Sequence, residues 1–151
     1  MRLVVPAIFV FLTVTAVPVC AAGFDEETLD QRTIDAMVVQ ARQAPPREQC
    51  FLYAELVHQM TEVSLRQYDA GDVERASDLL KQVQVLTRKI HLSVASNSKR
   101  LKNTEILLRH SVFRLTGLLH SSSYEDRPLV QQTLAEVSQV QNEAMMQVFR
   151  K

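Results

Sequence analysis

The feature that most constrains the fold is the stretch from Asp72 to His120, which contains no proline and a single glycine, Gly117. Apolar residues recur along it at intervals of seven, namely Val73, Leu80, Val94, Leu101, Leu108 and Leu115, with Thr87 at the one position of this row that is not apolar. A second row lies three places further on and comprises Ala76, Val83, Ile90, Asn97, Thr104, Ser111 and Leu118. Such spacing places side chains on one face of an α-helix. The stretch therefore predicts either one long helix or two helices in register.

The composition of the chain supports an all-α fold. Its 151 residues include only three glycines and no tryptophan, and 46% of them are hydrophobic. Long segments are rich in Leu, Gln, Glu, Arg and Ala, which are good helix formers. A chain of this length corresponds to one domain.

The first 22 residues predict a signal peptide rather than part of the fold. Arg2 provides a positive start, an apolar run follows over residues 3–19, and small residues reach Ala22. We expect cleavage to leave residues 23–151 as a single all-helical domain, periplasmic or secreted. An uncleaved membrane anchor is the alternative, although the run is near the lower limit for spanning a bilayer. Without Arg2, 16 basic residues face 17 acidic ones, a net charge of −1 that does not indicate nucleic-acid binding.

Proline and glycine mark the ends of the other predicted helices. We expect helices over about 25–43, 47–70 and 128–149. Pro45 and Pro46 end the first and begin the second. Gly71 is predicted to close the second in the left-handed conformation, and Asp72 to cap the next helix. A turn this short predicts an antiparallel helical hairpin.

The architecture depends on whether the helix over about 72–120 breaks near residues 96–98. Asn97 tolerates the left-handed conformation, so the chain can reverse there. However, Val94, Leu101 and Leu108 keep the seven-residue interval through this point. We therefore predict an antiparallel hairpin or bundle, coiled-coil-like, with a long central helix of roughly 70 Å. An up-down-up-down four-helix bundle is the alternative.

Two parts of the sequence resemble known groups of proteins. The segment from Gly71 to Ala76, followed by Leu80 and Val83, resembles half of one tetratricopeptide repeat, which implies a helical hairpin. The segments from Tyr53 to Met60 and from Lys99 to Asn103 resemble uncharacterised exported helical proteins of bacteria. The second resemblance implies an exported compartment and supplies no activity, cofactor or catalytic residue.

One pair of residues suggests a metal. Glu55 and His58 lie three apart, as in half of a carboxylate di-iron site of a helical bundle. A full site needs a second such pair, and no other histidine has a glutamate three residues before it. The competing interpretation is an ordinary polar pair between helices. No nucleophile or phosphate-loop motif occurs, so we predict a protein that is not an enzyme and needs no cofactor.

After cleavage Cys50 would be the only cysteine. A lone cysteine on the apolar side of a helix is typical of a small core residue. The alternative is an intermolecular disulfide at a dimer interface.

A basic run suggests a binding surface. Between residues 88 and 114, seven basic residues accompany one acidic residue, a net charge of +6. Of these, Lys99, Arg100, Lys102 and Arg109 are candidates to bind an anionic partner such as phospholipid, an envelope polymer or an acidic protein. The alternative is a solvated face whose charge is balanced by carboxylates on neighbouring helices.

Ile106 and Phe113 suggest a second contact surface. They lie one heptad apart, nearly opposite the main apolar face of their helix. A helix that is apolar on two sides must be covered on both, either by the first helix or by another chain. The sequence thus predicts a non-catalytic exported scaffold that binds a protein partner or itself. A small-ligand or metal-binding bundle is the alternative, and membrane contact is expected only through an uncleaved signal segment.

Overall fold

The computed structural model describes residues 31–94 and 98–150, and all regular secondary structure within them is α-helical. The helices are α1 (Gln31–Gln43), α2 (Pro46–Asp69), α3 (Val73–Val94), α4 (Leu101–Ser121) and α5 (Arg127–Phe149). The all-α prediction is confirmed. The predicted signal peptide and the start of the first helix lie outside the described residues. Within the described ranges, no helix is long and apolar enough to cross a membrane.

The hairpin of α2 and α3 forms as the sequence predicts. Pro46 begins α2, and Gly71 adopts the left-handed conformation with φ of 83°. The amide of Asp72 donates to the carbonyl of Gln67 at 2.9 Å, which closes the end of α2. The Asp72 carboxylate then accepts from the Arg75 amide at 3.3 Å and caps α3.

The prediction of a long central helix over 72–120 is wrong, because α3 ends at Val94 and a separate helix, α4, begins at Leu101. The Ser98 hydroxyl donates to the carbonyl of Ser93 at 2.9 Å, near the end of α3. Arg100 has φ of 56°, a left-handed conformation that no continuous helix contains. A spine of roughly 70 Å would have a single partner helix of about 35 Å along each half. Reversal lets both halves bury their stripes in one core.

Helix directions follow from the side-chain pairs between helices. Glu48 and Glu62 of α2 pair with Lys99 and Arg114, in the same order along the chain. Hence α2 and α4 run parallel. Side-chain contacts between α3 and α5 also keep the same order along both helices. Gln84 bonds to Thr133, Arg88 pairs with Glu136, and His91 pairs with Glu143. Directions therefore alternate along the chain, as in the alternative bundle prediction.

The bundle consists of two antiparallel hairpins, α2–α3 and α4–α5, packed side by side. The main contacts join α2 to α3 and α4, and α5 to α3 and α4. Therefore α3 and α4 lie diagonally opposite, and the end of α3 and the start of α4 lie at the same end of the bundle. The short helix α1 packs against α2 through Ile34 and Ala41.

The core mixes aliphatic side chains with small hydroxyl side chains. The largest fully buried residues include Ile34, Leu56, Met60, Leu80, Ile90, Leu108 and Leu115. Thr104 and Ser111, the polar members of the second row, are also fully buried. Their hydroxyls donate to the carbonyls four residues earlier, at 3.3 and 3.0 Å. These bonds satisfy the buried oxygens within each helix, so polar residues fit an otherwise apolar stripe.

Candidate functional site

Five basic residues surround a depression at the end of the bundle where α2 and α4 begin. We call this surface the basic end; its residues are Arg47, Lys99, Arg100, Lys102 and Arg150. The depression has a volume of about 830 Å³, and Val94, Leu101 and Val148 form its apolar lining. It therefore presents positive charge around apolar surface.

The alternating helix directions bring these residues together. Arg47 lies in the first turn of α2, and Lys102 in the first turn of α4. Lys99 and Arg100 end the connection that crosses from α3. Arg150 immediately follows α5, which ends at the same place. Residues more than 100 positions apart, Arg47 and Arg150, thus border one depression.

Specific contacts hold the connection in place. The Lys99 amide donates to the carbonyl of Arg47 at 2.7 Å, tying the start of α4 to the start of α2. The Arg100 guanidinium lies 3.5 Å from the centre of the Phe51 ring, a cation–π contact. The Lys99 ammonium pairs with Glu48 at 3.1 Å, with both side chains largely exposed. These contacts orient the backbone from which Lys99 and Arg100 project.

Farther from this end, the basic run is balanced by carboxylates. Arg88 pairs with Glu136 at 3.3 Å, and Arg114 pairs with Glu62 at 2.9 Å. Arg109 lies 3.8 Å from Glu105 on its own helix and does not belong to the basic end. The prediction of a balanced face thus fits this part of the run, whereas Lys99, Arg100 and Lys102 gather at the basic end.

Cys50 lies in the interior of α2. Its side chain is fully buried, and burial raises the pKa of the thiol. Hydrogen bonds with the side chains of Ser98, Ser93 and Thr104 lower that pKa in part. A buried thiol cannot reach another chain unless the bundle opens, so the alternative of an intermolecular disulfide through Cys50 does not fit this fold. The expectation of a core residue is confirmed.

A second polar cluster lies midway along the contact between α2 and α4. The rings of His58 and His110 are 6.1 Å apart between centroids. Burial lowers the pKa of His58 from its usual 6.5; Glu62 opposes this shift, whereas His110 and Arg114 add to it. Nδ1 of His58 is buried without a hydrogen-bond partner among the described residues. The cluster favours neutral imidazole at His58.

The cluster does not match the predicted metal site. Glu55 is half-buried on α2, and the His58 ring has His110 as its aromatic neighbour. Across residues 31–94 and 98–150, no group of three or more His, Cys, Asp or Glu side chains is arranged to hold a metal ion. Among the described residues, Glu55 and His58 therefore lack a third ligating side chain arranged with them.

The two apolar residues predicted to face a partner differ in exposure. Ile106 is half-buried, whereas Phe113 is 75% exposed. The first helix, one of the two possible covers for this face, packs mainly against α2 over its described residues. Phe113 borders a groove of about 380 Å³ between the ends of α2 and α4, whose lining includes Leu65, Gly117 and His120.

Sequence reasoning missed Arg47 and Arg150 because neither belongs to the basic run. Their positions carried a usable signal, since Arg47 begins one predicted helix and Arg150 follows another. Alternating directions in a four-helix bundle bring the start of one such helix to the end of the other. The prediction of a long central helix hid this relation.

Comparisons with known proteins provide no relative. No protein-family model, curated protein or solved structure matches the chain.

Proposed function

We propose that this chain is a non-catalytic helical binding module that engages an anionic partner through its basic end. The observation that carries the proposal is the convergence of Arg47, Lys99, Arg100, Lys102 and Arg150 around one depression. The predicted signal peptide supports a role outside the cytoplasm, in the periplasm or beyond the cell.

The charge distribution supports a local binding site rather than a general attraction to anions. The whole chain has equal numbers of basic and acidic residues. At the basic end, the Glu48 carboxylate pairs with Lys99. Converging cations raise the local positive potential and attract anions even when the net charge of the molecule is zero.

Retention on a heparin column tests this proposal. The double variant Lys102→Glu/Arg150→Glu removes positive charge at the basic end. Its matched control, Arg75→Glu/Arg127→Glu, makes the same change in net charge at exposed positions where α3 and α5 begin, at the opposite end. We expect the unaltered protein and the control to be retained at low salt, and the basic-end variant to pass through. Equal loss in both variants, or no retention of the unaltered protein, would overturn the proposal.

A second candidate function is self-association through α4. The specific observation is Phe113, a large apolar side chain that is 75% exposed beside an open groove. Isolated exposed apolar residues are common on monomers, so this observation is weaker than the converging charges.

Light scattering after size exclusion tests self-association. We expect a dimer that Phe113→Asp converts to monomer, while Tyr124→Asp, at a residue that is 92% exposed, leaves the mass unchanged. A monomer at all concentrations would rule this candidate out.

A further inference from the structure

We infer that the partner of the basic end is the surface of a membrane containing anionic phospholipid. This inference rests on the proposed function and specifies its ligand chemistry. The sequence left the anionic partner open among phospholipid, an envelope polymer and an acidic protein, and this inference selects the first.

Exposed apolar side chains at the basic end favour a lipid partner. Leu92 lies in the last turn of α3, and Met146 and Phe149 lie in the last turn of α5. They are 78%, 69% and 80% exposed, respectively. Both helices end at the basic end, so these side chains and the five cations occupy the same end of the molecule. Water-exposed apolar groups at the tip of a bundle are stabilised when they enter the headgroup and acyl boundary.

The arrangement of the cations fits phosphate headgroups. Lys102 and Arg150 line the same depression as the apolar residues Leu101 and Val148. A neighbouring depression of about 380 Å³ is lined by Arg150 and Met146, among others. Cations and apolar side chains therefore line the same two depressions, as in membrane-surface segments whose cations bind headgroups beside inserted side chains.

At the opposite end of the bundle, the exposed cations Arg75 and Arg127 are accompanied by carboxylates, among them Asp72 and Glu74. Tyr124 is exposed there, but it is accompanied by the carboxylates Glu125 and Asp126. Asp126 accepts hydrogen bonds from Tyr68 and Ser123, which hold it at that end. Negative charge is repelled by an anionic membrane, so the basic end is better suited than the opposite end to approach one.

A soluble polyanion or an acidic protein would use the same cations in a different way. A soluble polyanion binds by charge alone and has no use for Met146 or Phe149. An acidic protein would cover those side chains with its own surface and would not require lipid. Vesicle binding therefore distinguishes the lipid from both.

Flotation with vesicles tests the inference on residues 23–151, which retain all five described helices and exclude the predicted signal peptide. The vesicles contain phosphatidylcholine alone or mixed with phosphatidylglycerol. We expect binding to the mixed vesicles only. Because each basic residue contributes about fivefold to partitioning, Lys102→Ala/Arg150→Ala should weaken binding by about 25-fold. The control Arg75→Ala/Arg127→Ala should bind as the unaltered protein does.

Tryptophan fluorescence tests which end enters the lipid. The chain contains no tryptophan, so a single introduced residue reports on one site. We expect Phe149→Trp to shift to shorter wavelength with the anionic vesicles. Tyr124→Trp, the matched aromatic at the opposite end, should not shift. Circular dichroism of each variant establishes that it is folded before the comparison is made.

The outcomes separate this inference from the proposed function. Retention on heparin without vesicle binding would overturn the lipid inference and leave the proposed function in place. Absence of both heparin retention and vesicle binding would overturn the lipid inference and the proposed function together. Vesicle binding without a shift in Phe149→Trp, or with an equal shift in Tyr124→Trp, would overturn the assignment of the basic end as the membrane-facing surface.

Discussion

The two ends of the bundle are built by different interactions. At one end, which we call the turn end, residues 70–72 join α2 to α3 and residues 122–126 join α4 to α5. There the hydroxyl of Tyr68 donates to Asp126 at 3.1 Å and accepts from the amide of Ser123 at 2.8 Å. These bonds join the two hairpins. At the basic end, the backbone contact between Lys99 and Arg47 joins them beneath a group of cations.

From this difference we expect the turn end to contribute more to stability and the basic end to contribute more to binding. Hydrogen bonds at the turn end satisfy polar groups within the chain and therefore stabilise the fold. Cations gathered at the basic end repel one another, which costs stability and attracts an external anion. Functional surfaces commonly depart from the arrangement that is best for folding alone. Stability measurements should therefore respond more strongly to changes near the turn end.

The largest difference should come from two leucines of α4. Leu115, toward the turn end, is fully buried, whereas Leu101, at the basic end, is half-buried. We expect Leu115→Ala to lower the free energy of unfolding by about 2–5 kcal/mol, because it removes packed methyl groups and leaves a cavity. Leu101→Ala should cost roughly 1 kcal/mol, since part of its side chain is already in water. Urea unfolding measures both, and equal losses would contradict the contrast between the ends.

The Tyr68 hydroxyl should provide the next largest effect. Tyr68→Phe removes its hydrogen bonds to the Asp126 carboxylate and the Ser123 amide, and should cost about 1–2 kcal/mol of unfolding free energy. The control is Tyr124→Phe, since Tyr124 is 92% exposed and its hydroxyl meets water. If the two changes have the same effect in urea unfolding, the turn end is not held by this network.

Two glycines near the turn end should respond to alanine with opposite signs. Gly71 has φ of 83°, which strains any residue with a Cβ, so Gly71→Ala should destabilise by about 1 kcal/mol. Gly117 lies within α4 with open space around it, so Gly117→Ala should stabilise by roughly 0.5–1 kcal/mol. Thermal unfolding of the two variants gives the signs directly. Destabilisation by both would mean that crowding, not backbone conformation, controls these positions.

The smallest effect should come from His58, midway between the ends. Its pKa in the folded protein lies below the usual 6.5, mainly because of burial. The unfolded chain therefore binds this proton more readily, so the contribution of His58 is fully present above pH 6.5 and declines as the pH falls below it. We expect His58→Gln to lose less stability than the unaltered protein between neutral and mildly acidic pH.

Urea unfolding at both pH values measures this difference. His110→Gln serves as the comparison, because His110 is exposed and is one of the groups that lower the pKa of His58. Identical pH dependence in the unaltered protein and His58→Gln would rule out His58 as a contributor.

Local sequence signals were sufficient for the all-α class and for the first hairpin. Pro46, Gly71 and Asp72 mark helix ends through their own backbone preferences, and the structure has those ends where the sequence predicts them. The core residues of α2 include Cys50, Ala54 and Val57, which lie at helical intervals of three and four.

The candidate site was only partly accessible from the sequence. Lys99, Arg100 and Lys102 were found because they are close together along the chain. Arg109, from the same run, lies beside Glu105 instead. Arg47 and Arg150 join the site only through the directions of the helices. Local charge density therefore identified the centre of the site but not its extent.

By itself, the sequence determined an all-α chain, most helix ends and the residues that face the core, because these depend on helical periodicity and on local backbone preferences. Only the tertiary structure decided between a long central helix and a bundle. Val94 and Leu101 keep a seven-residue interval in either case, since both halves of the stretch bury their stripes. The reversal depends on contacts between distant residues, the Lys99 amide with the Arg47 carbonyl and the Arg100 guanidinium with the Phe51 ring. The same reversal assembled the basic end.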